Sequence, residues 1–576
     1  MNSNLIYLKK VLTLLGRSKA KLPFMVAIFL FVSILDMISI GLIAPFVAIL
    51  ISPDVFFGSE IYLLLAAYFP FINSENLLDV FSYLILVVFL AKTIGSIFSN
   101  KLILKFSFLY GVELRKKLMF YYQNQTYARF LKRNSSSYIN SLQISSDFSQ
   151  NTVQAYLRLA SESIVIVFIM FILFWSSWES LSFLSVLLIG FLSLYNYFFK
   201  NKMHKYGALV NKSRVKMVKT INENFEGFKF IRVLGKNHFF YKQLEENAKL
   251  YATMHIKNQV LLTSPRYLLE FLIVVFIVAL VFLLEFFSIT SKEAVSIISM
   301  FSIAAIRLIP STSVLINSIN TIQNSRHSID ILYDDYSKLG GSGEGLPIQQ
   351  SKRSEFLSLE LKNIYFSHEG TNYNVINNSS LKINKGDAVG IMGVSGSGKT
   401  TLIDIALGLL NPEQGRVIVN NSPLQDNIAD FWSYVSYLPQ QAVIIDDSLR
   451  KNIAFGQFES EIDDAKVMQA LESARLSTLL SQLPDGVDTI LGERGVLLSG
   501  GQRQRVSLAR AFYYDKSVLI MDESTSALDN ATEKEIVQEV KISKGSKTII
   551  VIAHRLSTLE YCDYIYEIKN GEINQI

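Results

Sequence analysis

The chain has 576 residues, too many for one ordinary domain, and 50% hydrophobic residues with a mean hydropathy of +0.30 indicate a membrane part joined to a soluble part. The single cysteine, Cys562, excludes a disulfide framework and a cysteine-based metal site within one chain. The formal net charge of +6 is distributed in a way that fits membrane topology, so no nucleic acid partner is expected.

Six apolar segments are long enough to span about 30 Å of hydrocarbon. The first is longer than a span requires, so we expect it to tilt or protrude, and it is too long for a cleavable secretory signal. Only Ser176–Ser180 joins the third segment to the fourth, which predicts a tight hairpin. The six segments lie near Phe24–Ile51, Leu78–Ser99, Ala155–Trp175, Leu181–Phe199, Leu268–Phe287 and Ala294–Ile316.

Lysine and arginine are unevenly distributed between the loops. They are frequent in the N-terminal arm, in the loop after the second segment and in Lys200–Leu262, but absent from Ser52–Asn76. Because cytoplasmic loops carry the excess of basic residues, both termini are expected in the cytoplasm. The outer loop contains the apolar stretch Ile61–Tyr68, which is too short to span and fits either an interfacial helix or a simple packing loop.

The two long cytoplasmic loops predict helices that continue the membrane spans into the cytoplasm and turn back at short crossing segments. The candidates for these segments are Gln125–Ser145 and Thr220–Gly235. Such elbows are natural contacts for a cytoplasmic motor.

Few ionisable residues lie within the spans. The main ones are Asp36, Lys92, Glu270 and Arg307, and Arg266 lies at an entrance. Because a charge at mid-bilayer costs about 2.5–3.5 kcal/mol on insertion scales, each is a candidate functional residue. The alternative interpretation is that these charges neutralise one another inside the protein.

The stretch Lys338–Glu355 is polar and rich in Gly and Ser, which predicts a flexible linker. Beyond it the hydropathy pattern indicates alternating strands and helices, as in an α/β domain. We therefore expect a transmembrane domain at residues 1–337, a linker at 338–355 and an α/β domain at 356–576.

The stretch Gly393–Thr400 reads GVSGSGKT and fits the phosphate-binding pattern G-x-x-x-x-G-K-[ST]. An apolar strand is predicted before it at Ala388–Met392 and a helix after it at Thr401–Leu409, which is the context this motif requires. Lys399 is expected to reach the terminal phosphates and Thr400 to ligate Mg²⁺. The predicted nucleotide contacts in this region are Gly393, Ser395, Gly396, Gly398, Lys399, Thr400 and Thr401.

Further motifs follow the phosphate loop. Gln440 can bond Mg²⁺ or the attacking water, and the sequence LSGGQ at Leu498–Gln502 offers a second phosphate cradle. An apolar strand ends at Asp522, which can hold Mg²⁺ through water, and at Glu523, which can orient and deprotonate the attacking water. The remaining predicted contacts are Ser499, Gly500, Gly501, Gln502 and Asp529 for the nucleotide and His554 for the γ-phosphate.

These motifs in this order resemble the nucleotide-binding domain of ABC transporters, and LSGGQ distinguishes it from kinases and small GTPases. With six spans ahead of it, the chain is similar to a half-transporter of the exporter type. The resemblance implies a multidomain membrane protein, with an all-α six-helix transmembrane domain followed by an α/β P-loop NTPase nucleotide-binding domain. It also implies ATP and Mg²⁺ as cofactors and ATP hydrolysis coupled to transport.

In that family the phosphate loop of one domain and the LSGGQ of a second domain sandwich each ATP. This chain has one set of motifs and no internal repeat, so it needs a partner. A homodimer is the simplest arrangement, and a heterodimer with a sister chain is the alternative. The sequence departs from the family at one position, because His368 aligns with the aromatic residue, often Tyr, that stacks on adenine.

Within the exporters the chain is similar to the bacterial lipid-linked oligosaccharide flippases. The similarity lies in the apolar stretch of the first outer loop, in Pro265–Glu270 and in Arg307–Ser311. It implies a multi-pass protein of the bacterial inner membrane that moves a polyprenyl-pyrophosphate-linked oligosaccharide. Lys92, Arg266 and Arg307 are then expected to bind the pyrophosphate. An exporter of another lipid, a peptide or a drug is the alternative, and an ATP-gated channel is a further one.

Overall fold

The computed structural model of the chain describes residues 2–51, 77–286, 291–339, 355–368, 370, 373–523, 530–553 and 559–576. They form two compact units, Met1–Gln123 with Ser135–Gly343 and Asn124–Asn134 with Glu344–Ile576. The predicted linker falls largely on residues 340–354, outside the described ranges, so the predicted domain boundaries stay predictions. The prediction for Ile61–Tyr68 also lies outside the described residues.

The described part of the first unit is helical. Its helices, with the short α5 of the second unit kept in chain order, are α1 (Asn2–Leu15), α2 (Leu22–Gly41), α3 (Ile43–Ile51), α4 (Leu77–Asn124), α5 (Tyr127–Leu131), α6 (Ser135–Asp147), α7 (Gln154–Ser176), α8 (Trp178–Glu226), α9 (Phe228–Val233), α10 (Asn237–Phe286), α11 (Ser291–Asn324) and α12 (Arg326–Leu339). A 3₁₀ turn, Gly16–Lys21, joins α1 to α2, and a π-helical turn, Phe148–Val153, joins α6 to α7.

Six described helical stretches are long and apolar enough to cross a membrane, which confirms the predicted number of spans. The first apolar run is divided at Leu42 into α2 and α3. The predicted hairpin is also present, because Ser177 alone separates α7 from α8. Its backbone is extended, and its side chain caps α8 by accepting a hydrogen bond from the Ser180 N–H.

Three helices are much longer than a membrane span. The helices α4, α8 and α10 contain 48, 49 and 50 residues, so each is roughly 70–75 Å long at 1.5 Å per residue. A short helix follows each of the first two, since α5 lies within the predicted segment Gln125–Ser145 and α9 within Thr220–Gly235. The long helices and the short helices after them are therefore present, and the extension of the long helices into the cytoplasm stays a prediction.

Two apolar clusters hold the first unit together. One joins α1, α4 and α12 through buried side chains such as Leu14, Leu118 and Leu332. The other lies among the spans and includes Ile169 and Phe276. Large apolar side chains also remain exposed on the outward faces of the spans, as expected for helices that contact lipid.

The second unit is an α/β domain with two sheets. A six-stranded sheet has the order β10-β9-β3-β8-β7-β6, in which β9, β3, β8, β7 and β6 are parallel neighbours. A four-stranded antiparallel sheet has the order β2-β1-β4-β5. The strands are β1 (Ser358–Phe366), β2 (Ile376–Asn384), β3 (Ala388–Met392), β4 (Gln414–Val419), β5 (Ser422–Pro423), β6 (Val435–Leu438), β7 (Val518–Asp522), β8 (Thr548–Ile552), β9 (Tyr564–Lys569) and β10 (Glu572–Gln575).

The helices of the second unit cover both faces of the parallel sheet. Side chains alternate along each strand, so in β7 Leu519 and Met521 join one apolar cluster while Val518 and Ile520 join the other. Tyr127 of α5 packs against the second of these clusters. The remaining helices are α13 (Lys399–Ala406), α14 (Ile428–Tyr434), α15 (Leu449–Ile453), α16 (Asp464–Ser473), α17 (Ser477–Gln482), α18 (Gly500–Tyr514) and α19 (Asn530–Ile542).

Candidate functional site

The parallel strands bring the predicted ATPase residues to one edge of the sheet. The phosphate loop follows β3, Glu523 follows β7 and Gln440 follows β6 by two residues. Parallel strands present their carboxyl ends at the same edge, where ligands of open α/β sheets bind. The topology of the sheet therefore brings these groups to the same edge.

The phosphate loop requires glycine at two of its predicted positions. Gly398 has φ +100°, and a Cβ there would lie 3.0 Å from the Val375 carbonyl oxygen. At Gly393 a Cβ would lie 2.7 Å from the Ile568 carbonyl oxygen. Any larger residue at these positions would push the loop away from the strands that support it.

Lys399, the first residue of α13, is 95% buried, with a relative exposure of 5%. Its ammonium group donates to the carbonyl oxygens of Gly393 and Val394 at 3.0 and 3.1 Å. It also lies 3.7 Å from Glu523 Oε1. The lysine is thus held over the loop, with its charge close to the predicted general base.

Asp522 ends β7 and is 1% exposed. Its Oδ2 accepts a hydrogen bond from the Tyr437 hydroxyl at 3.4 Å, and its side chain also bonds Thr400. Burial, followed by the charge of Glu523, raises the pKa of Asp522 above its usual value.

The buried Oδ1 of Asp522 has no hydrogen-bond partner among the described residues. An orphaned carboxylate oxygen next to a threonine hydroxyl is a donor set that suits Mg²⁺, which prefers oxygen ligands. A divalent cation would also offset the burial of this charge. Asp522 and Thr400 therefore fit the predicted metal site.

Glu523 has a left-handed backbone conformation, with φ 46°. That conformation is uncommon for a residue with a side chain and is often found at functional sites. Gln440 Nε2 donates to Glu523 Oε2 at 2.7 Å. The amide of Gln440 therefore fixes the direction of the carboxylate, a positioning contact that the sequence motif alone does not reveal.

Asp404, on α13, is a charged neighbour of this site that sequence reasoning missed. Burial, followed by repulsion from Asp522, raises its pKa to about 6. The signal was present, because Asp404 lies four residues after Thr400 and therefore on the same face of the helix.

The LSGGQ motif begins α18 and forms a capping box. Ser499 Oγ accepts from the Gln502 N–H at 3.3 Å, and Gln502 Oε1 accepts from the Ser499 N–H at 2.7 Å. The spacing S-x-x-Q is the known sequence pattern of this cap, so this role could have been predicted. Among the described residues, no hydrogen bond joins these two side chains to the phosphate loop. Gly500 and Gly501 are the first two residues of the helix.

His368 lies beside the phosphate loop. Its Nε2 is 3.5 Å from Thr401 Oγ1, and its ring meets the Phe366 ring edge-on with centroids 5.1 Å apart. Adenine stacking by His368 stays a prediction. Ser395 and Gly396 are exposed in the loop, while Asp529 and His554 lie outside the described residues.

Two of the three predicted substrate-binding cations meet inside the first unit. Lys92 Nζ lies 2.7 Å from Asp36 Oδ1, and Arg307 Nη2 lies 3.2 Å from Asp36 Oδ2. The Asp36 side chain is 1% exposed, and Glu162 Oε2 lies 3.8 Å from Arg307 Nη2. The four residues lie on α2, α4, α7 and α11, so they join four helices.

Arg266 is not part of this group. Its Nε lies 3.0 Å from Glu270 Oε1, four residues later on α10, and its side chain is 62% exposed. All three cations thus have a carboxylate partner. This arrangement favours the alternative of internal neutralisation, and pyrophosphate binding stays a prediction.

Two family models match the chain. The model described as "ABC transporter transmembrane region" matches residues 26–315, and the model described as "ABC transporter" matches residues 376–526. The first covers most of the membrane-spanning region, and the second begins in β2 and contains the phosphate loop, Gln440, LSGGQ and Glu523.

Curated relatives include proteins named ATP-dependent lipid A-core flippase. The one from Ralstonia nicotianae is 38% identical over 217 residues, 37% of this chain and 37% of that protein. The one from Legionella pneumophila is 28% identical over 393 residues, 67% of this chain and 65% of that protein. The matched region therefore spans less than two thirds of the length of either relative.

Among solved structures, one titled "Structure of a bacterial Atm1-family ABC exporter with ATP bound" is similar over nearly the whole chain. The superposition has a TM-score of 0.71 at 18% identity and covers 97% of this chain and 95% of that one. The predicted fold class, a six-helix exporter-type membrane domain followed by an α/β nucleotide-binding domain, is confirmed.

Proposed function

The chain belongs to the ABC transporter family, and from that premise we propose that it is an ATP-driven exporter that flips a lipid-linked substrate across the bacterial inner membrane. One observation carries the proposal. Lys399, Asp522 and Glu523 lie together at the edge of a parallel sheet, in a chain whose described residues also include six helices able to span a membrane. ATP is the fuel, and both termini face the cytoplasm.

In the proposed reaction Glu523 is the general base. Gln440 holds one carboxylate oxygen by a hydrogen bond of 2.7 Å, so the other can take the proton of the attacking water. Lys399 binds the terminal phosphates as a point charge, exchanging its present carbonyl partners for phosphate oxygens. Asp522 and Thr400 would hold Mg²⁺, which would supply positive charge to offset the charge that develops on the phosphate oxygens. Asp529 and His554 are proposed further nucleotide contacts.

The proposed assembly is a homodimer with two equivalent ATP sites. In each site Gly393–Thr400 of one chain faces Leu498–Gln502 of the other. The capping box supports this arrangement, because it holds the first N–H groups of α18 at a helix N-terminus, where phosphate binds favourably. A heterodimer with a sister chain is the alternative.

The proposed cargo is a polyprenyl-pyrophosphate-linked oligosaccharide. The names of the relatives support a lipid cargo, and a glycolipid of the lipid A type is therefore the second candidate. Lys92, Arg266 and Arg307 are the proposed pyrophosphate contacts, in competition with Asp36 and Glu270. A peptide or drug exporter and an ATP-gated channel are further alternatives.

The test is transport by the purified full-length protein in liposomes that contain either candidate glycolipid or phosphatidylethanolamine. Flipping is measured as the change in accessibility of the headgroup after addition of ATP and Mg²⁺. The variant Glu523→Gln should bind ATP normally but lose roughly 10²–10⁴-fold in turnover and stop flipping. The exposed Glu472→Gln is the matched control and should behave as the wild type.

Each outcome has a distinct meaning. ATP-dependent flipping of one glycolipid, lost in Glu523→Gln, identifies the cargo. Near-normal hydrolysis in Glu523→Gln would overturn the assignment of the general base. Ion conductance on ATP binding without any lipid movement would favour the channel.

A further inference from the structure

The 3₁₀ turn Gly16–Lys21 lies beside a cavity of about 430 Å³ that the proposed transport reaction does not use. This volume lies within the roughly 300–1,000 Å³ of sites that bind small molecules. The walls are apolar and come from α2 and α4, with Phe24, Met25, Leu102 and Phe106 among them. The cavity can therefore accept a hydrocarbon chain.

Two lysines give the same cavity a positive side. Lys21 ends the 3₁₀ turn and Lys105 lies on α4, and both are exposed. Neither has a carboxylate within the 4.0 Å ion-pair distance among the residues that the structure describes. The cations are thus available to a ligand from outside the chain.

Glu113 also lines the cavity, and its carboxylate is already engaged. Lys117 Nζ lies 2.6 Å from Oε1, and the Ser18 hydroxyl donates to Oε2 at 2.9 Å. The lining side chains Lys21, Lys105 and Glu113 together carry a charge of +1, and Lys117 neutralises the carboxylate from outside. This net positive charge favours the binding of an anion in the cavity.

A second cavity, of about 620 Å³, is also lined by Glu113 and is also basic. It is lined by Arg17, Lys19 and Lys117, together with Tyr336 and the apolar Leu12. Five cations, three on the turn and two on α4, therefore line the two cavities, and Glu113 is the one carboxylate among the lining residues. Such clusters beside a membrane helix attract anionic lipid headgroups.

The depth of the site in the membrane also suits a phospholipid. Lys105 lies six residues beyond Ser99, the predicted end of the second span, which is about 9 Å along α4. The headgroup layer occupies the first several ångströms outside the hydrocarbon. On α1, Leu5, Leu8 and Leu12 are exposed at a spacing of three and four residues, as on a helix that lies in the interface.

We propose that this cavity binds one anionic phospholipid of the cytoplasmic leaflet, separate from the cargo. Its acyl chain contacts the apolar walls near Phe24 and Phe106, and its phosphate lies between Lys21 and Lys105. The bound lipid fastens the N-terminal segment to α4. The assignment to the cytoplasmic leaflet rests on the cytoplasmic termini proposed above. The site itself does not depend on which substrate is transported.

The test is native mass spectrometry of the full-length protein after removal of lipid. Phosphatidylglycerol and phosphatidylcholine with the same acyl chains are titrated separately, and sn-glycerol 3-phosphate serves as the free headgroup. The wild type should bind the first copy of phosphatidylglycerol well ahead of phosphatidylcholine and should not retain the soluble phosphate. Each lysine near an anionic surface is worth roughly fivefold in affinity, so Lys21→Gln with Lys105→Gln should weaken this first step roughly 20–30-fold.

The matched control is Lys212→Gln with Lys216→Gln, the same charge change at exposed positions on α8. The control and the pair Lys21→Arg with Lys105→Arg should both still bind phosphatidylglycerol ahead of phosphatidylcholine. An unchanged preference in the glutamine pair would overturn the proposal. Equal binding of both lipids by the wild type would also overturn it, and that measurement needs no variant to fold.

Discussion

At the scale of single residues, the nucleotide site concentrates charge where water is scarce. Asp522 is 1% exposed, its pKa is raised by burial and by Glu523, and Asp404 lies close enough to add repulsion. Three carboxyl groups within one site disfavour the folded state when all are charged. This repulsion fits the proposed site, in which a divalent cation would offset the charge of the carboxylates.

Asp404 provides a test of that repulsion through pH. Its pKa is raised from 3.8 to about 6, so its contribution to stability is fully present below pH 3.8 and is lost as the pH rises through 6. At pH 8 we expect Asp404→Asn to melt a few degrees above the wild type, since 1 kcal/mol shifts the melting temperature of such a domain by about 2–4 °C. The difference should shrink towards pH 5, as followed by nucleotide-free thermal unfolding.

The exposed Asp426→Asn is the control for Asp404→Asn and should change the melting temperature little at either pH. A melting difference between Asp404→Asn and the wild type that is the same at pH 5 and pH 8 would contradict the electrostatic explanation.

The features that the sequence predicts are set by local spacing, whereas those that it does not predict depend on contacts between elements distant in sequence. Lys399 and Gly398 were predictable because phosphate binding requires a particular residue at a fixed spacing. The hydrogen bond from Gln440 to Glu523 and the left-handed backbone of Glu523 depend on neighbouring strands that are distant in sequence. The meeting of Lys92 and Arg307 at Asp36 depends in the same way on how the helices pack.

At the scale of elements, α18 shows how one motif can serve stability and function together. The Ser499 hydroxyl caps the helix. In the proposed dimer it also contacts a phosphate of the ATP bound by the partner chain. Substitution can separate the two roles, because Asp is as good an N-cap as Ser but repels phosphate. We expect Ser499→Asp to keep the melting temperature while ATP hydrolysis is lost.

The companion variant Ser499→Ala removes the cap and should cost about 0.5–2 kcal/mol of stability. Thermal unfolding and phosphate release, measured on the same preparations, give both readouts. If Ser499→Asp retains wild-type hydrolysis, the motif acts only as a cap.

The charged group in the membrane unit is a second test at this scale, because Asp36, Lys92, Glu162 and Arg307 join four helices. Removing one partner of a buried ion pair leaves an uncompensated charge and costs about 3–5 kcal/mol. We therefore expect Asp36→Asn to lower the melting temperature strongly. Glu270→Gln, which breaks the more exposed pair with Arg266, should have a much smaller effect.

The same variants address cargo binding. If Lys92 and Arg307 serve only the fold, Asp36→Asn lowers stability and basal hydrolysis together. If they bind pyrophosphate, Arg266→Ala with Arg307→Ala abolishes flipping in a stable protein that still hydrolyses ATP. A melting temperature for Asp36→Asn equal to that of Glu270→Gln would contradict a structural role for the buried group.

At the scale of the whole molecule, the long helices were predictable and their interruptions were not. Apolar runs followed by long polar loops predict helices such as α4 and α8, because the length and composition of each segment can be read from its own sequence. The break at Leu42 follows Gly41, which is only a weak local signal, and the π-helical turn Phe148–Val153 contains neither Gly nor Pro to mark it.

The proposed homodimer makes a prediction that only the assembled molecule can test. A chain with Lys399→Ala has a defective phosphate loop, and a chain with Ser499→Asp has a defective LSGGQ, so each homodimer should be inactive. If each site combines the two motifs from different chains, a mixed dimer contains one doubly defective site and one intact site. Purified mixed dimers should then contain half as many intact sites as the wild-type dimer, by the two-fold symmetry of the interface.

The measurement is ATP hydrolysis by the co-expressed chains, purified through two different tags so that only mixed dimers remain. Recovery above both homodimers supports sites shared between chains, because neither chain alone has both motifs intact. The control is a chain carrying both substitutions, paired with itself, which must remain inactive. Mixed dimers that hydrolyse no ATP, although a wild-type chain paired with the double variant does, would contradict the shared site. If mass measurement shows only monomers in a preparation that hydrolyses ATP at the full rate, the predicted requirement for a partner is wrong.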